Sequence, residues 1–467
     1  MAQGRTDTAL SAQPSQRVWG GWKRWGLSLV LVLLTSVRPA EGLAWNDHTL
    51  ASFPALSKSE LVMQASPLKV ESFDTFVAAE AVGLEALLKS EEAWAVANIP
   101  NYPPRPEAMA FRADGPVETR RARLLNALRI NPTVKLALYR QALPGESLDG
   151  KPKLPWQELH ILKDVGRIVS TPYVALQEGQ EVAALDVVAS GADEPDFGLD
   201  INIWTDSPGA FGAGYGMGEL PFGNPKLEYA TQAPMHMGLF HEAPIVYKLA
   251  TYVKRTFPEM RVRQFYALAR YAFSTGHDYW GWRFTGWGLH YLQDMSQPYH
   301  ASLLPGVSVG YMLWINALSI AGVKGPVNKS IQLVTNRHLA LENYGYHATL
   351  SLIEKGNVTH PLVLGLQDTA RDAVYGSYDA PYIRGKLTSQ AKRMDKRTDK
   401  TLEQNLPRKL ISDPKYLFET TEPGINVLEV VEKGDAKRRE RFEALVAELM
   451  RDFGAHSRNF VRAVRAP

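Results

Sequence analysis

Hydrophobic residues repeat at helical spacing wherever this sequence has a clear pattern, and that repeat limits the possible folds more than any other feature. The pattern predicts helices over residues 74–89, 118–128, 242–256, 261–275, 280–294, 328–341 and 435–464. Residues 176–190 could contain a strand, but no β-α-β alternation and no internal repeat is present. The sequence therefore predicts a mostly α-helical, multi-helix catalytic domain.

Two further segments have a distinctive composition. The last helix, 435–464, mixes Lys and Arg with Glu on its outer face, which is typical of an exposed surface helix without a catalytic role. Residues 209–223 contain six glycines. They predict either an ordered loop near a functional site or a mobile loop.

The 467-residue chain contains no cysteine. This composition excludes thiolate nucleophiles, redox pairs, iron–sulfur clusters and cysteine-based zinc fingers. Any bound metal must therefore rely mainly on His, Asp and Glu.

The first 44 residues have the three parts of a secretory signal. Basic residues precede an apolar run at 27–34, and small residues follow up to Ala44. The run is shorter than the ~20 residues that a membrane-spanning helix needs, although an uncleaved anchor is the alternative. We predict cleavage after Ala44 and a secreted or periplasmic protein that begins at Trp45. Cleavage would leave a formally neutral chain, which has no net field to attract a polyanion.

Residues 288–300, Gly-Leu-His-Tyr-Leu-Gln-Asp-Met-Ser-Gln-Pro-Tyr-His, hold the densest group of titratable side chains. His290 and Asp294 are four residues apart on a predicted helix, so that both project from one face. Pro298 ends this helix and allows His300 to turn back toward the same region. His338 and Glu342 repeat the four-residue spacing on another helix.

A single pair of this kind is more often an exposed hydrogen-bonded pair than a metal site. Two helices that each present an imidazole and a carboxylate are, however, the way in which helical bundles build multinuclear metal sites. Nitrogen and carboxylate ligands without thiolate favour zinc, with manganese or iron as alternatives. The two pairs together therefore predict a metal site.

The pattern His-Tyr-Leu-x-Asp-x-x-x-Pro-x-His over 290–300 resembles that of the zinc-dependent phospholipases C, including the alpha-toxin branch, and of the related fungal single-strand nucleases. The segment Arg-Gln-Phe-Tyr-Ala-Leu-Ala-Arg-Tyr at 263–271 resembles the alpha-toxin branch in particular. The resemblance covers Trp45 and residues from 196 to about 344. It implies a site for three Zn²⁺ ions in a catalytic domain over 45–467, with a large N-terminal insertion at about 60–190.

The resemblance also implies the ligands and their roles. One zinc would be held by Asp196, His236, His290 and Asp294, a second by His300, His338 and Glu342, and a third by Trp45, His48 and the bridging Asp294. Trp45 would use its amino group and carbonyl oxygen, which requires the cleavage predicted above. Asp196 would in addition orient or deprotonate the attacking water. Phe197 could flank a choline-like headgroup through its ring face, although ordinary core packing is the alternative.

The sequence leaves two ligand assignments open. His236 competes with His241 as a ligand, and His48 could be a helix residue without a metal. The remaining histidines match no motif and are expected at the surface or satisfied in the core: His160, His277, His347, His360 and His456.

The expected activity is that of a phospholipase C, which releases diacylglycerol and a phosphorylated headgroup from phosphatidylcholine-type lipids. Three features favour lipid over nucleic acid: Asn343 after Glu342, the 263–271 segment, and the apolar stretch 307–322 between two ligand histidines. That stretch could seat in a lipid interface or be a buried core helix. We expect a monomer that meets phospholipid at a membrane surface and binds no nucleic acid stably. A zinc-dependent single-strand nuclease or 3′-nucleotidase, and a non-catalytic binder, are the alternatives.

Overall fold

The computed structural model describes residues 47–162, 170–209, 211–418 and 420–467. The predicted signal peptide at 1–44 and the predicted ligand Trp45 lie outside the described residues. Within the described ranges the chain is mostly helical, which confirms the mostly α-helical part of the predicted fold class. No helix in these ranges combines the length and the apolar character needed to cross a membrane.

The N-terminal half alternates short helices with two small antiparallel strand pairs. Its elements are α1 (His48–Leu56), α2 (Glu60–Met63), β1 (Leu68–Lys69), α3 (Phe73–Ala79), α4 (Ala81–Asn98), α5 (Arg120–Ala127), β2 (Tyr139–Gln141), β3 (Tyr173–Ala175), β4 (Glu181–Val182) and α6 (Ala184–Asp193). Strand β1 pairs with β4, with Leu68 opposite Val182. Strand β2 pairs with β3, with Tyr139 opposite Ala175.

The remaining helices form the rest of the molecule. They are α7 (Ala233–His236), α8 (Pro244–Leu249), α9 (Pro258–Ser274), α10 (Asp278–Ser296), α11 (Val309–Ile320), α12 (Gly325–Glu354), α13 (Pro361–Gln367), α14 (Asp372–Tyr375), α15 (Thr388–Asn405), α16 (Arg408–Ile411), α17 (Val427–Glu432) and α18 (Ala436–Val464). A short 3₁₀ turn, Glu194–Phe197, directly follows α6, and a π-helical turn, Ile383–Leu387, precedes α15.

Helix α10 is the centre of the fold. Every residue from Tyr279 to Ser296 is buried, because α6, α9, α15 and α18 pack around it. Helix α6 approaches closely through Gly191 and Gly286: a Cβ on Gly286 would lie 2.6 Å from the Val188 carbonyl oxygen. This close approach brings the end of α6, and the acidic residues that follow it, against the middle of α10.

The segment at about 60–190 packs into the same hydrophobic core as α9 and α10. Phe76 and Leu84, on α3 and α4, belong to the core cluster that contains Trp280 and Trp287 of α10. The strand that 176–190 could contain is limited to β4, and α6 follows it. The run Val187-Val188-Ala189 belongs to α6, and all three residues are buried. A short continuous apolar run fits a buried helix as well as a buried strand, which is why the sequence suggested a strand here.

Helix α18 corrects the expectation of an exposed surface helix. Its first turns are exposed, but nearly every residue from 445 to 464 is buried. The buried charges in this part have partners: Arg458 donates to the Asp372 carboxylate (2.9 Å), and Asp452 pairs with Arg371. Paired charges can be buried, which the alternation of Lys, Arg and Glu did not reveal.

The glycine-rich segment 209–223 is packed, but not against the predicted metal ligands. The Tyr215 hydroxyl donates to the Ile130 carbonyl (2.6 Å), and Tyr215 is fully buried. A Cβ on Gly212 would lie 2.1 Å from the Trp204 carbonyl oxygen, so the packing requires glycine there.

Candidate metal centre

Eight of the predicted ligands lie in one buried region around the C-terminal half of α10. They form two groups. The inner group consists of His48, Asp196, His236, His290 and Asp294, and the outer group consists of His300, His338 and Glu342. The inner group contains two triads that share His290, and the outer group is a third triad; within each triad, one ligand atom per residue lies within 4.8 Å of the others.

Asp294 is the centre of the inner group. Its Oδ1 is 3.2 Å from His48 Nε2, and its Oδ2 is 2.8 Å from His236 Nδ1 and 3.4 Å from His290 Nε2. One carboxylate thus faces three imidazoles that come from α1, α7 and α10. A carboxylate in this position could contact more than one metal ion.

Asp196 completes the inner group from the 3₁₀ turn after α6. Its Oδ1 is 3.6 Å from His290 Nε2 and 3.9 Å from His236 Nδ1. Its Oδ2 is buried and makes no hydrogen bond to any described residue. Burial raises the pKa of Asp196 to about 7 in the protein without metal.

The outer group joins the end of α10 to α12. His338 Nε2 is 2.6 Å from Glu342 Oε1, and His300 Nε2 is 3.1 Å from His338 Nε2 and 3.6 Å from Glu342 Oε1. His300 Nδ1 donates to the His236 carbonyl (3.1 Å), which connects the two groups. His338 is the most accessible of these ligands, with 20% of its side chain exposed, so the site opens to solvent on its side.

Hydrogen bonds on the far side of the rings orient the imidazoles. His48 Nδ1 donates to Gln293 Oε1 (2.8 Å), and His290 Nδ1 donates to the Ala192 carbonyl (2.8 Å). With Nδ1 occupied in this way, as in His300, the lone pair of each ring in its neutral form is on Nε2 and faces the cluster. His236 is reversed: its Nδ1 faces the cluster, and its Nε2 lies 3.4 Å from Asp200 Oδ2.

The electrostatics differ between the ligands. Burial alone would lower the pKa of His48 and of His236. The carboxylate of Asp294 outweighs burial at His48 and raises its pKa to about 9. Asp200 and Asp294 together raise the pKa of His236 to about 10. Burial and the neighbouring His48 hold the pKa of His290 well below its usual range, and burial lowers that of His338 to about 4. The protein without metal therefore contains charged and neutral imidazoles side by side.

These contacts fit a metal centre. Imidazole nitrogens that face each other occur twice at 3.1 Å, between His290 and His236 and between His300 and His338. Ligand atoms of a tetrahedral zinc ion with bonds of 2.0–2.1 Å lie about 3.3 Å apart. In addition, Asp196 Oδ2 and Glu342 Oε2 are buried without a hydrogen bond to a described residue. The donor set can thus hold metal ions, and its nitrogen and oxygen atoms fit zinc.

Other predicted residues lie elsewhere. His241, the alternative to His236, is outside the cluster, because its Nε2 is 3.0 Å from Thr388 Oγ1. Phe197, predicted to bind substrate, is only 3% exposed, and its ring packs on His160 with a centroid distance of 3.8 Å. The ring is part of the aromatic core beside Tyr139 and Tyr173, which is the packing role given above as the alternative to headgroup binding.

The histidines without a motif have structural partners. His277 contacts Glu71 (2.8 Å) and Glu80 (3.2 Å), and His360 caps α13. His456 is buried and hydrogen-bonded to the Tyr382 hydroxyl (2.7 Å).

Sequence reasoning missed Asp200 and Gln293. Asp200 is fully buried, accepts hydrogen bonds from Arg261 (2.9 and 2.6 Å) and from the Tyr291 hydroxyl (2.5 Å), and faces His236. Burial by itself would raise the pKa of Asp200, but Arg261 and His236 lower it to about 2. Gln293 precedes Asp294 in a helix that is rich in aromatic residues. A single amide side chain in such a helix was the only sequence signal that could have indicated its role.

The chain was also compared with family models, with curated proteins and with solved structures, and none of them matches it. The interpretation of the centre consequently depends on its geometry.

Proposed function

We propose that this chain is a zinc-dependent hydrolase of phosphodiester bonds, and within that class a phospholipase C. The observation that carries the proposal is the arrangement around Asp294. One buried carboxylate faces three imidazoles, and a second group of two imidazoles and a carboxylate adjoins it. Such an arrangement is suited to several metal ions close together, as enzymes that cleave phosphate esters use.

Clustered zinc ions would supply Lewis-acid stabilisation of phosphoryl oxygens and lower the pKa of water toward neutrality. Asp196 is the residue that we assign to the attacking water, because its Oδ2 is buried, has no described hydrogen-bond partner and adjoins the ligands. It would orient the water and accept a proton from it. A new oxygen–phosphorus bond would form as the bond to the diacylglycerol oxygen breaks, and the leaving oxygen would take up a proton.

The choice of lipid rests on the resemblance of Glu342-Asn343 to the phospholipase pattern and on α11. This helix lies in the apolar stretch between His300 and His338, and it exposes Tyr311 (42%) and Trp314 (54%) instead of burying them in the core. The 263–271 segment contributes less. Its Arg263 pairs with Glu91 of α4 (2.8 Å), which is a packing role away from the metal ligands.

The decisive experiment uses the purified, zinc-loaded protein on phosphatidylcholine, single-stranded DNA and nucleotide 3′-phosphates. Hydrolysis of the lipid to diacylglycerol supports the proposal, and nuclease activity alone favours the related nucleases. No activity on any substrate while zinc is bound would indicate a binding protein. Sequencing of the mature N-terminus tests cleavage before Trp45, on which the third zinc depends.

We expect Asp200→Asn to weaken zinc binding. Asp200 fixes the ring of His236 by facing its Nε2, and loss of such a partner typically costs about 10- to 100-fold in metal affinity or activity. Competition with a chromogenic chelator measures the effect. The matched control is Tyr291→Phe, which removes one hydrogen bond to Asp200 but leaves its charge facing His236. Equal zinc affinity in Asp200→Asn and the unmodified protein would contradict the positioning role.

A further inference from the structure

Helix α11 presents an uncharged apolar face to solvent. Exposed residues along it and just after it are Val309 (37%), Tyr311 (42%), Trp314 (54%), Ile320 (68%) and Val323 (52%). Residues 302–323 contain no charged side chain. Val309 and Ile320 lie about 120–200° around α11 from Tyr311 and Trp314, and the exposed Gly310 and Ala317 lie between the two pairs. The whole exposed side of the helix is therefore uncharged and largely apolar, and exposed apolar surface of this extent marks an interaction site more often than single exposed residues do.

The opposite face of α11 attaches the helix beside the metal centre. Ile315 is fully buried and packs with Val327 and Ile331 of α12. Ile331 precedes His338 by seven residues, which is about 10 Å along the helix. Because His338 is the most accessible ligand, the apolar face and the opening of the centre belong to the same side of α12.

Helix α15 adds positive charge next to this surface. Arg393, Lys396 and Lys400 are exposed on one face of α15, and none of them pairs with a carboxylate among the described residues. Arg393 donates only to Ser389 and Gln390.

The loop that leads into α11 packs directly on α15. Ser302 donates to Asp395 (3.0 Å), and a Cβ on Gly306 would lie 2.0 Å from Asp399 Oδ2. Lys396 and Lys400 lie about 60° and 100° around the helix from Asp399. The cationic stripe therefore borders the start of α11.

We propose that the apolar face of α11 and the cationic stripe of α15 form one docking surface for a bilayer that contains anionic phospholipid. The proposal rests on the phospholipase function proposed above, and it specifies the surface and the charge of the lipid. Tyr311 and Trp314 have the amphipathic rings that suit the interface between water and acyl chains. Lys and Arg nearby would attract anionic headgroups. Docking on this side would present lipid to the open side of the centre at His338.

The same composition argues against two other occupants. A symmetric contact with a second copy would repeat the same patch and bring two cationic stripes toward each other. A nucleic acid would use the cations and could stack on the aromatic rings, but Val309, Ile320 and Val323 provide neither hydrogen bonds nor stacking. The bilayer is the occupant that uses both the apolar residues and the charges.

The test is flotation of the full, zinc-loaded protein with vesicles of phosphatidylcholine, with and without phosphatidylglycerol. We expect binding to the anionic vesicles that falls at high salt. Tyr311→Ser with Trp314→Ser, and separately Lys396→Glu with Lys400→Glu, should each weaken it at least about tenfold. Matched controls are Val82→Ser and Lys89→Glu, which change exposed residues of α4 and should bind as the unmodified protein does.

Circular dichroism and zinc content verify that each variant is folded. No binding to anionic vesicles, or equal binding by the docking variants and the controls, would overturn the proposal. So would a change of oligomeric state with Trp314→Ser in sedimentation, or binding of single-stranded RNA that depends on Lys396. The phospholipase function fails separately, if the unmodified protein binds the vesicles but hydrolyses no lipid.

Discussion

Replacement of Asp294 by Asn should remove most of the bound zinc and lower hydrolysis at least about 10³-fold, the upper end of what one stabilising group is worth. The reason is its shared position: the carboxylate faces His48, His236 and His290, so that in the proposed centre its charge would support more than one metal position. The isosteric amide keeps the volume of the side chain but removes the negative charge between these imidazoles. Zinc per chain, measured by mass spectrometry, and initial rates are the two readouts.

The matched control is Asp278→Asn, the same chemical change in the exposed first turn of the same helix. It should keep the full zinc content and rate, because it changes only a weak interaction with the helix dipole. If Asp294→Asn does not fold, His338→Asn tests the outer group at a partly exposed position. Full zinc content and an unchanged rate in both site variants would contradict the assignment of the centre.

Replacement of Arg283 by Met should lower the free energy of unfolding by about 3–5 kcal/mol, because it leaves a buried carboxylate without its cation. Arg283 donates to Glu194 through two nitrogens (2.5 and 2.9 Å) and lies over the ring of Trp280 (4.9 Å). Both charged side chains are nearly fully buried. Glu194 also accepts a hydrogen bond from Trp287 Nε1 (2.7 Å).

Denaturant unfolding, followed by circular dichroism, measures this loss. The double variant Arg283→Met with Glu194→Gln should recover much of the stability, since no unpaired charge is then buried. Lys409→Met provides the comparison at a surface pair with Glu422 (2.7 Å), where we expect less than about 1 kcal/mol. A loss as small in Arg283→Met as in Lys409→Met would refute the structural role of the buried pair.

The sequence could predict the helices and the pairing of His290 with Asp294 because both depend on short-range patterns. Helical periodicity and the spacing of His290 with Asp294 both depend on residues a few positions apart. Pro298 likewise marked the end of α10 within two residues, at Ser296. Interactions of this range can be recognised without a fold.

The remaining features depend on contacts across the chain. Asp200 contacts Arg261, 61 residues away, and Glu194 contacts Arg283, 89 residues away. Neither acidic residue carries a local signal that separates it from a surface carboxylate. The choice between His236 and His241 also depends on a contact between distant residues. Only the path of the chain around α7 decides which of the two rings reaches Asp294.

Gln293 links the first and the last helix of the described chain, α1 and α18. Its carbonyl oxygen accepts from His48, while its amide donates to Ser52 of α1 (2.9 Å) and to Ser457 of α18 (3.0 Å). Arg458 of α18 also donates to the Ala55 carbonyl (3.1 Å). A truncation or a fusion that displaces α18 would therefore disturb the candidate ligand His48, more than 400 positions earlier in the chain, although α18 contributes no candidate ligand itself.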